Sequence, residues 1–348
     1  MSEQKDLPVG VIGGGSFGTA IANLLAYNRD VILYARNPSV VEEINQRKPR
    51  HGIILPERVV ATNDPAEVAE KCRLLFPVVP SVSFRSMMRD FAPFLYPYHL
   101  IIHATKGFDV HGRREEEIEE QGVTRQHVNT ISEVILQESV VARIGCLSGP
   151  NLAREILEGQ PTATVIASKY DEVISAGKRA LSSPLFHVFG SYDLLGAELA
   201  GALKNTIALG SGLLKGHGLG KNIQAMLITR GLAEMVYFGK AMGSKAEAFF
   251  GTAGIGDLVA TATSKKSRNY TFGYRIGKGE SLEEVKSTMP ELAEGLRTLR
   301  VTRHLAKFYR LRVPITEMLY QVIFEGFPIQ RAMDYLMTFP YDVDVDIL

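Results

Sequence analysis

At 348 residues the chain is longer than one hydrophobic core comfortably supports, which sets an expectation of two domains. A 45% hydrophobic content and a mean hydropathy of +0.02 exclude a disordered or fibrous protein and describe a globular enzyme. A formal net charge of +1 excludes a general electrostatic pull toward nucleic acid or an anionic membrane, so any anion site must be local.

The opening Met1-Ser2-Glu3-Gln4-Lys5-Asp6 has no apolar core of a leader, and no later run is apolar for the length of a membrane span. The expectation is therefore a cytoplasmic protein with no integral membrane segment. Val9 to Ile12 is an apolar run of strand length that meets Gly13, Gly15 and Gly18 at G-x-G-x-x-G spacing, followed by Ala20, Ile21, Leu24 and Leu25 at helical spacing. Strand, tight turn and helix in that order describe a dinucleotide site. Gly13 makes the turn, Gly15 admits a pyrophosphate to bare backbone, Gly18 lets helix and strand approach, and the helix N-terminus takes the phosphates. A second strand over 30–36 ends at Arg36, where an acidic residue would hold the ribose 2′-hydroxyl of NAD; arginine favours a 2′-phosphate, hence NADPH, with NADH still admissible.

Asn37-Pro38 turns into a helix over 40–45, and 47–60, with Pro49, Gly52 and Pro56, reads as a surface loop. Strands follow at 74–79 and 100–104, with a helix over 83–94 between them, an alternation that predicts a mainly parallel, doubly wound sheet. The strand at 100–104 delivers Lys106 to the carboxyl edge of the sheet, where ligands of such sheets bind; a solvated surface lysine is the alternative. The charged stretch Asp109 to Glu120 reads as an exposed excursion. Further elements are a helix over 132–137, a strand over 144–147, a strand-to-helix turn at Ser148-Gly149-Pro150-Asn151-Leu152-Ala153, and β-like runs at 161–168 and 186–190.

From Tyr192 strand patterns stop and long helical ones begin, so the domains are placed at 1–190 (dinucleotide-binding) and 191–348 (helical, substrate-binding). Within a helix over 193–214, Lys204-Asn205 lies among apolar residues and, if buried, needs a polar partner; a surface lysine on a switched face is the alternative. A helix over 222–242 carries Arg230. A glycine-rich turn, Gly251 to Asp257, precedes 258–263, and Ser264 to Asn269 then gathers hydroxyl, guanidinium and amide donors suited to a phosphate, with a solvated basic turn as the alternative. Helices at 291–309, 314–324 and 329–337 and a frayed tail from Pro340 complete the chain. Cys72 and Cys146 read as inert core thiols, and no C-x-x-C or H-E-x-x-H spacing asks for a metal.

These residues resemble the bacterial-type NAD(P)-dependent glycerol-3-phosphate dehydrogenases. The resemblance runs through Gly13-x-Gly15-Ser16-Phe17-Gly18-Thr19-Ala20, Thr105-Lys106-Gly107, Leu147-Ser148-Gly149-Pro150 and Glu198 to Lys204-Asn205. It continues through Ile228 to Met235, Gly254-Ile255-Gly256-Asp257, Ser264 with Ser267-Arg268-Asn269, and Glu294-Gly295. It covers nearly the whole chain in order, which single motifs do not. The resemblance implies reversible reduction of dihydroxyacetone phosphate to sn-glycerol 3-phosphate for glycerophospholipid synthesis, by a homodimer. It makes Lys204 the general acid and base. It puts Lys106, Gly149, Asn151, Asp257, Ser267, Arg268 and Asn269 around the substrate, and Ser16, Phe17, Arg36, Lys106, Ala153, Arg268 and Glu294 around the coenzyme, with Gly13, Gly15 and Gly18. Two departures stand out: the charged stretch after Lys106 is longer than usual, and Asn151 replaces a serine of bacterial members, as in eukaryotic relatives. A β-hydroxyacid or 6-phosphogluconate-type dehydrogenase would share the two domains and the lysine without needing Ser267-Arg268-Asn269. A non-catalytic dinucleotide sensor would need neither group.

Overall fold

The computed structural model describes residues 7–111, 113, 115–289 and 293–340, with only the backbone at 115 and 116. The tail beyond Pro340 and the first residues of the helix expected from Glu291 lie outside the described residues. The chain forms two compact units, one running to Asp109 and resuming at Thr130–Leu194, the other made of Val110–Asn129 and the chain from Leu195.

The first unit holds eight strands, β1 (Val9–Ile12), β2 (Val31–Tyr34), β3 (Val59–Thr62), β4 (Leu74–Pro77), β5 (Leu100–His103), β6 (Arg143–Ser148), β7 (Thr162–Ser168) and β8 (Phe186–Ser191). They form one sheet in the order β3-β2-β1-β4-β5-β6-β7-β8, parallel except for the antiparallel pair β6 and β7. Apolar residues alternate between two cores: Val31 and Leu33 pack on one face with Val9, Val11 and Ile102, while Ile32 packs on the other with Ile12, Leu75 and Ile101. Burial on both faces is why these strands read as continuous apolar runs. Chain order reverses about β1, which lies between β2 and β4, and this switch point puts a ligand crevice at the carboxyl ends of these strands.

Three elements of this unit depart from the sequence reading. Residues 59–60 belong to β3 rather than a loop, and Leu55 is buried, because the segment folds back on the sheet edge instead of into solvent. A helix over Pro65–Lys71, capped by the Asp64 carboxylate on the Ala66 amide, went unanticipated, as did one over Asp171–Leu181. Cys72 and Cys146 are buried, and burial pushes the Cys72 thiol up to about 12, the behaviour of an inert core thiol.

All regular elements of the second unit are helical among its described residues, the longest being Leu194–Gly216 and Lys221–Met242. Among its described residues the charged stretch is only partly an exposed excursion, with His111 and Glu120 exposed but Asp109, Val110 and Ile118 buried. Asp109 closes the first unit as the buried partner of Arg85, at 2.7 Å, and Arg85 also reaches Gln137 at 2.8 Å. In the second unit Val110 and Ile118 are fully buried, and Glu119 accepts from the Tyr320 hydroxyl at 2.5 Å and pairs with Arg300 at 3.2 Å. Asp109 and Glu119 thus meet arginines, Arg85 and Arg300, rather than solvent alone.

Candidate active site

One group of candidate site residues stands on the first unit. Gly13 has a φ of 130°, and a Cβ there would lie 2.3 Å from the Val78 carbonyl oxygen; a Cβ on Gly18 would lie 1.8 Å from that of Gly13. Both glycines are dictated by the protein's own backbone. Gly15 differs, since a Cβ there would meet nothing within 4 Å. It opens the helix Ser16–Leu25 with no side-chain cap, leaving first-turn amides for an external acceptor. Phe17 is half-buried against the core beneath, and Ser16 is half-exposed at the rim.

Arg36 is exposed just past the end of β2, where Asn37 caps the helix Pro38–Asn45 by accepting from the Ser39 amide at 3.0 Å. Lys106 is half-buried beyond β5 and donates to the Gly149 carbonyl at 3.2 Å. Gly149 has a φ of 147°, which only glycine tolerates well, and its turn is braced by Asn151, which donates to Thr164 Oγ1 at 2.8 Å; that hydroxyl donates to the Ser148 carbonyl at 3.1 Å. Ala153 begins the short helix that follows.

Another group stands on the second unit. Lys204 and Asn205 are buried in the helix Leu194–Gly216. The Lys204 ammonium donates to the Asp257 carboxylate in a close ion pair and to Thr261 Oγ1 at 2.6 Å. Asp257 is itself buried, so each charge of the pair compensates the other where water does not reach. The glycine-rich turn before it is a π-helical turn, Thr252–Gly256, which re-aims the chain so that Asp257 begins a new helix, Asp257–Thr263.

The donor-rich turn is present at Ser264–Ser267, closed by the Ser267 amide on the Ser264 carbonyl at 3.0 Å, and leads into a helix, Arg268–Gly277, that begins with Arg268 and Asn269. Ser267 caps it by accepting from the Tyr270 amide at 3.3 Å. Asn269 is buried and internally engaged: its amide donates to Asn205 Oδ1 at 2.9 Å, and its own Oδ1 accepts from the Gly295 amide at 2.9 Å. Arg268 is exposed and Glu294 half-exposed. Four glycines set this helix against the lysine helix: a Cβ on Gly212 would lie 2.0 Å from the Tyr270 carbonyl oxygen, and one on Gly273 1.9 Å from that of Leu209, with Gly216 and Gly277 equally close. Backbone against backbone at this distance fixes where Ser267 to Asn269 stand relative to Lys204. Sequence reading overlooked Thr261, although it lies one helical turn after Asp257, a spacing that places both on one face.

The structure thus gathers Lys204, Asp257 and Thr261 in one buried cluster, links Asn205, Asn269 and Gly295 in a second, and sets Gly13, Gly15, Arg36, Lys106 and Gly149 along the carboxyl edge of one sheet.

The family models for NAD-dependent glycerol-3-phosphate dehydrogenase match the chain twice, the N-terminal model over residues 8–174 and the C-terminal model over 193–334. The chain is 39% identical to the glycerol-3-phosphate dehydrogenase [NAD(P)+] of Pseudomonas putida, across 100% of this chain and 98% of that one. It is 40% identical to that of Pseudomonas entomophila over the same shares. Among solved structures, the glycerol-3-phosphate dehydrogenase of Coxiella burnetii superposes with a TM-score of 0.85 at 29% identity, covering 96% of this chain and 99% of that one. The enzyme of Plasmodium falciparum reaches 0.86 at 21% identity over 98% of both chains, a likeness of fold.

Proposed function

The chain belongs to the NAD-dependent glycerol-3-phosphate dehydrogenase family, and from that membership we propose that it interconverts dihydroxyacetone phosphate and sn-glycerol 3-phosphate, with Lys204 as general acid and base. The observation that carries the assignment is the buried Lys204 ammonium held by Asp257 and Thr261. Hydride addition to a carbonyl carbon leaves an alkoxide, and a positioned ammonium supplies its proton; in the oxidative direction the amine takes the hydroxyl proton back. Asp257 holds the ammonium in place, and Thr261 fixes its orientation.

The first unit fits a dinucleotide, because the space above Gly15 and the uncapped first turn are what a pyrophosphate requires. Gly13, Gly15, Ser16, Phe17 and Gly18 would hold it there, with Arg36, Lys106, Ala153, Arg268 and Glu294 completing the set. When bound, the nicotinamide supplies or accepts the hydride. Arg36 favours the 2′-phosphate of NADPH, with NADH still used.

On the substrate side, Arg268 offers an exposed guanidinium at a helix N-terminus, a combination that suits a phosphate dianion. The family resemblance would add Lys106, Gly149, Asn151, Ser267 and Asn269 to the substrate residues. The product is the backbone of glycerophospholipids, and we infer that the enzyme supplies their synthesis, in the cytoplasm and as a homodimer. Among the described residues no helix is long and apolar enough to cross a membrane.

The test follows absorbance at 340 nm with purified protein, NADPH and dihydroxyacetone phosphate. Oxidation of NADPH that needs this substrate supports the assignment. Turnover of a β-hydroxyacid in preference would overturn it.

A further inference from the structure

We propose that Arg50 is a positioning residue of the dinucleotide site, which aims the Gly15 amide by holding the Gly14 carbonyl; the inference rests on the dinucleotide reading above. Residues 47–58 look like surface loop in sequence, yet the segment is built to present this arginine. Arg50 and Ile53 exchange both backbone hydrogen bonds, 2.7 and 3.1 Å, across His51-Gly52, whose φ values of 50° and 89° make a two-residue turn with positive φ at both central positions. The Arg47 guanidinium pins the same segment by donating to the carbonyls of Pro56, Glu57 and Val59 at 3.0, 2.9 and 2.8 Å.

From this fixed backbone the Arg50 side chain, only 19% exposed, donates twice to the Gly14 carbonyl oxygen, through Nε at 3.2 Å and Nη2 at 2.7 Å. Its third arm pairs with Glu43 of the helix Pro38–Asn45 at 2.9 Å. The Gly14 carbonyl and the Gly15 amide belong to one planar trans peptide, in which C=O and N–H point opposite ways. Two donors on the oxygen therefore fix the amide on the side away from Arg50, at the one glycine of the turn with open space beside it. Three adjacent glycines would otherwise leave that peptide free to rotate.

Arg50→Ala and Arg50→Lys test this through the Kd and KM for NADPH and NADH, the kcat, the KM for dihydroxyacetone phosphate, and the melting temperature. Losing a two-donor, charge-assisted grip should raise the Kd of both coenzymes by about tenfold in the alanine variant and by less in the lysine variant. NADPH and NADH should weaken by the same factor, since the amide meets the pyrophosphate they share, while kcat and the KM for dihydroxyacetone phosphate hold. Arg36→Ala in parallel should weaken NADPH alone. Parental coenzyme affinity in both Arg50 variants overturns the proposal, and so does a loss confined to NADPH, which would make Arg50 a reader of the 2′-phosphate. If the alanine variant fails to fold, the lysine variant at parental melting temperature decides. A parent protein that binds neither dinucleotide overturns the reading beneath it instead.

Discussion

A Cβ on Gly15 of the first unit would meet nothing within 4 Å, whereas one on Gly273 of the second would lie 1.9 Å from the Leu209 carbonyl oxygen. Both glycines stand beside candidate site residues, but the first leaves room for something else and the second has its room taken by the protein. The same contrast runs through the polar groups. On the first unit Arg36 is exposed and the first turn of the helix Ser16–Leu25 is uncapped, while on the second Lys204, Asp257, Asn205 and Asn269 are buried and partnered. An open turn suits a large cofactor that arrives and leaves intact. A packed cluster suits a group that must hold a charge at one point until the reaction needs it.

The largest expected effect breaks the packed cluster at its centre. Lys204→Ala removes the proton donor and should lower kcat by at least about 10²-fold, with NADPH binding to the first unit unchanged. Near-normal turnover in that variant would end the assignment of Lys204. Gly273→Ala and Gly15→Ala then set the two kinds of glycine side by side. The first forces two helices apart and should cost about 3 kcal/mol of stability. The second, at a φ of −77° that alanine accepts, should leave the urea midpoint in place and raise the KM for NADPH by about tenfold. Equal stability losses in the two variants would show that the space above Gly15 is not reserved for a ligand.

Arg36 sharpens the open side. A guanidinium facing a partly exposed 2′-phosphate is worth about 1.5–3 kcal/mol, so NADPH should be favoured over NADH by on the order of 10- to 100-fold in kcat/KM. Arg36→Asp should reverse that ranking through the KM of the coenzyme. A parent that uses both equally, unmoved by the substitution, would mean that Arg36 does not read the 2′ position.

How legible each region was follows from how local its contacts are. The glycine turn was readable because strand, turn and helix are consecutive and each glycine answers to a nearby backbone atom. Lys204 was flagged by its apolar neighbours, but its partners Asp257 and Thr261 lie 53 and 57 residues away, and Asn269 meets Asn205 across 64. No local pattern encodes such pairings. The helix Arg268–Gly277 has no sequence reading, and its Gly273 and Gly277, which weaken a helix by propensity, serve close packing against another helix. The stretch Asp109 to Glu120 was misread in part because its charges are plain in sequence while the arginines that meet Asp109 and Glu119, Arg85 and Arg300, lie elsewhere in the chain.

The smallest effect tests the packed side through a group outside the chemistry. Glu234 is fully buried and accepts from the amides of Ile315 and Thr316, at 2.6 and 3.0 Å, and from the Thr316 hydroxyl at 2.7 Å, capping the helix Pro314–Phe324. Burial raises its pKa from 4.5 to about 7 against those three hydrogen bonds, because desolvation of the charge outweighs them. A carboxyl with a raised pKa binds a proton more tightly folded than unfolded, so its contribution is fully present below about pH 4.5 and is lost as pH rises through about 7. Between pH 5 and 7 the loss should be on the order of 2 kcal/mol, less than about 1.4 kcal/mol per pH unit at its steepest. Glu234→Gln cannot ionise, so the stability difference between parent and variant, read from urea midpoints at pH 5, 6 and 7, should drift against the parent by that amount. A difference that stays constant across the series would show that Glu234 does not titrate there, and that the helix N-terminus holds its carboxylate ionised despite burial.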